Sequence, residues 1–156
     1  MSKQIFTRPA TSNTVWNECG GTPDEAHRRG CRFDILSFAW QTPECYDHEN
    51  TKAFRKHNGT WSYFADPEGT EPRSEEVAMT GEYMTFVAAE YHFTHCTYMW
   101  RQLHRAYAIL GYIDEHLDNW NHILHCQKML LEGPSWNMAD VDTVGRIIYP
   151  RCRKIW

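Results

Sequence analysis

Two short segments of this 156-residue chain repeat one arrangement of histidine and cysteine. One is His92–Cys96, with the order His-Phe-Thr-His-Cys, and the other is His122–Cys126, with the order His-Ile-Leu-His-Cys. In each segment the histidines and the cysteine stand at i, i+3 and i+4, so on a helix they share one face. The composition alone would produce this pattern roughly 0.02 times in such a chain. Two copies therefore predict a metal site, because imidazole and thiolate are metal ligands.

The repeated pattern supplies six candidate ligands, more than the four that a tetrahedral zinc ion takes. They are His92, His95, Cys96, His122, His125 and Cys126. In one arrangement each triad holds its own ion and leaves open positions for substrate or oxygen. In the other, Cys96 and Cys126 form a disulfide and the four histidines hold the metal. Imidazole suits copper, zinc and iron alike, and nearby sulfur favours copper.

The segment 81–132, which carries both motifs, has no proline and shows helical spacing of apolar residues. We expect one long helix that ends at Gly111 and a second that runs from Asp114, as its cap, through Leu131. A short connection makes two such helices antiparallel neighbours, and their motif faces can then converge. After them, a short strand is expected at 147–149. The predicted fold class is therefore mainly α, with two long antiparallel helices carrying the paired motifs.

The first 80 residues contain most of the prolines, which favour loops and short elements. One short helix is predicted at 23–29, with Thr22 as its N-cap, Pro23 at its first position and Gly30 after its end. Residues 67–76 read as a polar loop. This half of the domain is expected to be irregular and stapled by disulfides.

Six cysteines are a high and even count for a chain of this size. Cys19, Cys31 and Cys45 form no Cys-x-x-Cys pair, so structural disulfides of undetermined pairing are expected rather than a zinc ribbon. Asn58-Gly59-Thr60 is an acceptor sequence for N-glycosylation and predicts a glycoprotein. Both features favour an oxidising, secretory environment. No apolar stretch approaches the ~18 residues that cross a bilayer, and no signal peptide is visible at the start.

Other classes of function find little support in the sequence. The net charge is −4 and no basic stripe is present, which argues against nucleic-acid binding. No Ser-His-Asp grouping, phosphate loop or nucleotide fingerprint appears. The remaining histidines each stand alone and are interpreted as ordinary surface or core residues. They are His27, His48, His57, His104 and His116.

The paired motifs resemble those of the fungal UstYa-like family, named for an oxidase in ustiloxin biosynthesis. Segments 19–26, 30–34, 40–47 and 91–106 are also similar to a branch of these proteins, so the resemblance covers about residues 16–152. It implies an enzyme of fungal secondary metabolism on a single-pass membrane anchor, with its catalytic domain in the secretory-pathway lumen or on the extracellular face. The membrane tether expected from the family is absent from this chain.

On this resemblance we expect an N-terminal tail, 1–15, followed by one UstYa-like catalytic domain, 16–156. The expected function is that of a copper-dependent oxidase that cyclises, hydroxylates, desaturates or halogenates a peptide or small molecule. Its catalytic residues would be the four motif histidines, holding one or two copper ions. The aromatic residues Tyr91, Tyr98, Trp100 and Trp120 are candidates for the substrate cleft. The alternative is a non-catalytic helical module that zinc stabilises.

Overall fold

The structure, a computed structural model, describes residues 15–57 and 59–156. Asn58 of the glycosylation acceptor sequence and nearly all of the predicted tail, 1–15, lie outside the described residues. Helices and strands are interspersed along the chain, and the strands form three antiparallel sheets. The prediction of a mainly α fold was therefore wrong, since the domain is mixed α/β.

The described part of the chain contains five α-helices and nine β-strands. In order they are β1 (Trp16–Asn17), α1 (Pro23–Arg28), β2 (Arg32–Asp34), β3 (Ala39–Gln41), α2 (His48–Arg55), β4 (Tyr63–Phe64), β5 (Pro72–Arg73), α3 (Glu75–Ala78), β6 (Thr85–Ala88), α4 (Ala89–Arg105), β7 (Tyr112–Asp114), α5 (Trp120–Glu132), β8 (Val141–Gly145) and β9 (Cys152–Lys154). The sheets have the strand orders β1-β9-β7, β2-β3 and β5-β4-β6-β8. A wider helical turn, Ala106–Leu110, extends α4 as far as Gly111.

The first long helix begins later than its spacing predicted. Strand β6 precedes it, with Thr85 and Val87 buried and the residues between and after them half-buried. The strand pairs with β4 on one side and β8 on the other. β-Branched residues fit this pleated, half-buried environment, so the strand forms where apolar spacing alone suggested helix. Helix α4 then starts at Ala89, and the wider turn that extends it ends, as predicted, at Gly111, which adopts φ 74°.

The second long helix also begins later than expected. Asp114 ends β7, and its carboxylate accepts the N–H groups of the turn that follows, so it is not the helix cap. Asn119 caps α5 instead, by accepting the N–H of Asn121 at 2.9 Å. The strand expected at 147–149 was also wrong. Ile148 makes only an isolated bridge to Ala39, and β8 and β9 lie on either side of it.

The N-terminal half matches its prediction more closely. Helix α1 has Thr22 as N-cap and Pro23 in its first turn, and Gly30 follows it with φ 73°. The segment 67–76 was predicted as a loop throughout, but it contains β5 and the start of α3. Ser74 caps α3 by accepting the N–H of Val77, a local signal that the prediction passed over.

All six cysteines form disulfides. Cys19 pairs with Cys31 within the N-terminal half, whereas Cys45 pairs with Cys152 of β9 and ties that half to the end of the chain. Three disulfides fit a secretory or extracellular protein. Among the described helices, none is both long and apolar enough to span a membrane.

Helix α4 is held in the core through polar contacts with α2. Asp47, which caps α2, receives two hydrogen bonds from Arg105, at 2.6 and 2.9 Å, and its side chain is 1% exposed. Buried Asn50 donates to the carbonyl of Tyr98 and to the side chain of Gln102. These bonds fix the helix that carries the first motif.

Candidate metal centre

The two motifs face each other across α4 and α5. The Nε2 atoms of His92 and His125 lie 3.0 Å apart, and the ring centroids of His95 and His122 lie 5.7 Å apart. Residue numbers rise along one helix as they fall along the other, so the helices are antiparallel at this contact. The structure therefore brings all four motif histidines together, and they line one cavity.

The two motif cysteines form a disulfide, Cys96–Cys126, with a Cα–Cα distance of 5.1 Å. The cysteines are thus paired as in the second of the two arrangements that the sequence left open. Neither sulfur is a thiolate in this state, so neither is the ligand that the first arrangement required. Cys126 Sγ does lie 3.9 Å from His122 Nε2 and within one small cluster with His95, but the available ligand set is imidazole alone. Because neither cysteine offers a thiolate, the argument that nearby sulfur favours copper no longer applies.

His95 is oriented by the loop between β2 and β3. Its Nδ1 lies 2.6 Å from the carbonyl oxygen of Leu36. A carbonyl only accepts, so Nδ1 carries the hydrogen and Nε2 keeps its lone pair. Buried Asp34 holds this loop by accepting the N–H of Leu36 and the hydroxyls of Ser37 and Thr51. Burial raises the pKa of Asp34 to about 6.

His92 is oriented by strand β8. Its Nδ1 lies 3.0 Å from Thr143 Oγ1, and that hydroxyl also lies 2.8 Å from an oxygen of Asp142. The carboxylate takes the single hydroxyl hydrogen, so Thr143 accepts from His92 Nδ1. The lone pair on His92 Nε2 then faces His125. Such partners fix the tautomer and ring orientation of metal-binding histidines.

Burial lowers the pKa of three of the motif imidazoles, His92, His95 and His122, and so favours their neutral form. It lowers the pKa of His95 to about 3 and that of His122 to about 4, and the neighbouring imidazoles add to the shift. The pKa of His92 is lowered by burial and then by His125. Neutral rings have a lone pair free for a metal ion at neutral pH.

The spacing of the nearest pair fits a shared ion. Two nitrogens about 2.0–2.1 Å from one ion, at roughly a right angle, lie about 3 Å apart. His92 Nε2 and His125 Nε2 have this separation. A proton on His125 Nε2 satisfies the same contact, and a metal ion bound by both nitrogens would replace it.

The cavity has a volume of about 270 Å³ and is mostly apolar apart from its histidines. Its other walls come from Ser37, Phe38, Val87, Tyr91, Thr143, Val144, Gly145, Arg146 and Ile148. Of the aromatic residues predicted for a cleft, Tyr91 lines it, and its hydroxyl donates to the carbonyl of Ile35. Tyr98 packs against Phe54 in the core, whereas Trp100 and Trp120 are exposed elsewhere.

The same cavity contains a histidine that sequence reasoning had set aside. His116, between β7 and α5, lines it beside the four motif histidines. No spacing pattern marked this residue. The available signal was Asp114 two positions earlier, since aspartate often fixes a turn through its side chain.

Comparison with known proteins gives one kind of relative. The chain is similar to phomopsin biosynthesis cluster proteins B and B′ of Diaporthe leptostromiformis, with 30% identity over 83% of this chain and 42% of each relative. It thus spans less than half the length of these relatives, which belong to a fungal secondary-metabolite cluster. No protein-family model matches the chain. No solved structure matches it significantly either.

Proposed function

We propose that this domain is the catalytic part of a copper-dependent oxidase of secondary metabolism. The observation that carries the proposal is the convergence of four motif histidines on one cavity, two of them with their nitrogens 3.0 Å apart. His92, His95, His122 and His125 would hold the metal. When bound, a redox-active ion in this position supplies electron transfer and reaction with oxygen.

The protein's own contribution is to orient the histidines and to keep protons from competing with the metal. The bonds from His92 to Thr143 and from His95 to the Leu36 carbonyl direct both Nε2 atoms before any ion binds. A site organised in advance needs little rearrangement when the metal enters. The pKa values lowered by burial mean that few protons compete with the metal at neutral pH.

The shape of the site supports an enzyme over a structural module. A structural zinc site is closed, whereas a catalytic one keeps an open position. Here the histidines line a cavity with room beside them, and Phe38, Val144 and Ile148 give it apolar walls. These walls suit an apolar part of a small molecule or peptide. The enzyme would cyclise, hydroxylate, desaturate or halogenate that substrate at one of its C–H bonds.

The choice of copper and of biosynthetic role draws on the relatives. Four imidazoles suit copper, zinc or iron, so the ligand set does not select one. The resemblance to the UstYa-like family supports copper. The similarity to two proteins named for a phomopsin biosynthesis cluster supports a step in secondary-metabolite biosynthesis.

Metal content is the direct test. Metal-free protein with its disulfides intact is loaded separately with Cu(II), Zn(II) or Fe(II), and the bound metal is counted after the excess is removed. We expect one or two copper ions per chain in the wild type, and a loss of binding in His92→Ala and His125→Ala. The exposed histidine in His104→Ala provides the matched control and should bind like the wild type.

Redox activity is the second readout. Copper-loaded protein with ascorbate and oxygen should form hydrogen peroxide, and the two binding-site variants should not exceed the rate without protein. A colourless zinc site with no open coordination position would overturn the oxidase and support the zinc-stabilised module. A wild-type protein that binds none of the three metals would overturn both.

A further inference from the structure

A fifth imidazole stands next to the four motif histidines. The ring centroid of His116 lies 4.1 Å from that of His122. The other ring contacts in the cluster are longer, at 5.1 Å for His92–His125, 5.7 Å for His95–His122 and 6.0 Å for His92–His95. The closest pair of rings in this cavity therefore includes a residue outside both motifs.

The backbone at His116 is fixed from the core. Buried Asp114 accepts the N–H of His116 and the N–H of Leu117 through one carboxylate oxygen, both at 2.9 Å. Its other oxygen accepts from the side chain of Gln41 at 3.1 Å, and Leu117 is itself buried. The turn between β7 and α5 thus places this imidazole at the cavity through a network that is almost wholly buried.

The surroundings of the ring suit a cation ligand. The described residues that line the cavity include no carboxylate. Asp114, the acidic group that acts electrostatically on His116, already accepts hydrogen bonds from the backbone of the turn and from Gln41. The half-buried ring of His116 contacts that of His122, and burial lowers the pKa of both His122 and His95. Neutral imidazoles with rings this close can bind one metal ion together when their nitrogens point towards it.

We propose that His116 is a metal ligand of this centre, bound beside His122. The inference rests on the proposed function, since it assumes that the motif histidines hold a metal. It makes the ligand set five imidazoles from three segments: two from α4, two from α5 and one from the β7–α5 turn. That turn is then part of the site and more than a connection between two motif helices.

A positioning role would have a different signature. If His116 only stacked on His122, a phenyl ring could replace it, whereas a ligand needs the ring nitrogen. His116→Phe keeps an aromatic ring and removes the nitrogens, and His116→Ala removes both. His104→Ala again serves as the control, since His104 is exposed and does not line the cavity.

The experiment is a competition titration of metal-free protein with Cu(II), repeated with Zn(II), against a chelator of known affinity. We expect both His116 variants to bind at least about tenfold more weakly than the wild type and His104→Ala. The nitrogen couplings in the Cu(II) spectrum should also change in both His116 variants. Wild-type affinity in His116→Phe would overturn the proposal, whatever His116→Ala does. Failure of the wild type to bind either metal would instead overturn the proposed function, so the two failures are distinguishable.

Chemical footprinting of the wild-type protein tests the proposal even if the His116 variants misfold. Diethyl pyrocarbonate modifies free imidazole nitrogens, and peptide mass spectrometry locates each product. Bound Cu(II) should protect His116 together with His122, while His104 reacts equally with and without metal. Equal modification of His116 in both states would contradict its role as a ligand.

Discussion

The two copies of the motif have the same pattern but are held in different ways. On α4, the Nδ1 atoms of His92 and His95 bond to Thr143 and to the Leu36 carbonyl. On α5, His125 is exposed, and its ring bonds to no described residue other than His92. The histidines of the first motif are thus oriented by hydrogen bonds to other parts of the fold. His125 of the second motif is instead oriented mainly through contacts between α5 and α4.

The burial of the two helices shows the same difference. Helix α4 has 17 residues and buries six of them, and it also bonds to α2. Helix α5 has 13 residues and buries two, Cys126 and Met129. Cys126 and Met129 belong to a small apolar cluster with Phe93 and Cys96. The disulfide in this cluster is therefore the main tether of the second motif, and equal sequence patterns do not imply equal preorganisation.

Removal of that tether should have the largest effect. Cys96→Ser combined with Cys126→Ser removes a crosslink between residues 30 apart and should lower the free energy of unfolding by about 3–4 kcal/mol. Metal affinity should fall at least about tenfold, because α5 then holds its histidines less firmly. Denaturant unfolding and metal titration measure the two effects.

The Cys19–Cys31 disulfide provides the control for this prediction. Cys19→Ser with Cys31→Ser removes a crosslink over 12 residues, at a cost of about 2–3 kcal/mol. Its metal affinity should match the wild type. If the two double variants bind metal equally well, the disulfide does not position the second motif.

His95 of the first motif, which is half-buried, should give the next largest effect, as a pH dependence. Burial lowers the folded-state pKa of His95 to about 3, against about 6.5 in the unfolded chain. Its contribution to stability is present above pH 6.5 and is lost as the pH falls towards 3, because the unfolded chain then binds the extra proton. At pH 4 the loss amounts to about 3 kcal/mol.

Comparison of the His95→Gln variant with the wild type, both without metal, isolates the contribution of His95 to the pH dependence of stability. Asp34, whose pKa burial raises to about 6, acts in the opposite direction, but it is present in both proteins and cancels in their difference. The variant should therefore gain stability relative to the wild type between pH 7 and pH 4. Parallel stability curves would show that His95 is not held as a buried neutral ring.

The sequence predicted that the four motif histidines lie on helix faces because helical spacing is a local property. Residues at i and i+3 share a helix face wherever the helix lies, and both motifs fall inside helices. The state of Cys96 and Cys126 was not predictable in this way. It depends on the distance between two helices, and that distance is set by packing in the whole domain.

The failures in the fold prediction have the same origin. Val87 and Ala88 fit the apolar spacing of a helix, but they pair with residues of β8 more than 50 positions later in the chain. His116 reaches the site because Asp114 bonds to Gln41, 73 positions earlier. Contacts of such separation override local propensity, and a single sequence does not reveal them.

The hydroxyl of Thr143 orients His92 of the first motif, and removal of this hydroxyl tests that role. Thr143→Val keeps the shape of the side chain but removes the acceptor for His92 Nδ1, and metal affinity should fall about 10–100-fold. Thr143→Ser keeps the hydroxyl and should bind within a few-fold of the wild type. Calorimetric titration of the metal-free proteins measures both. If the valine and serine variants bind alike, the fold does not orient His92 through this bond.

The smallest effect is expected at the start of α5. Asn119 caps this helix, and Asn119→Ala should lower the free energy of unfolding by about 1 kcal/mol. His122 lies within the first turn, so fraying there should also weaken metal binding, but only a few-fold. Ser74→Ala removes a similar cap from α3, away from the cavity, and should cost similar stability with no change in metal affinity. Equal metal affinity in the two cap variants would mean that the disulfide and the contacts of His122 hold this end of α5 without help from its cap.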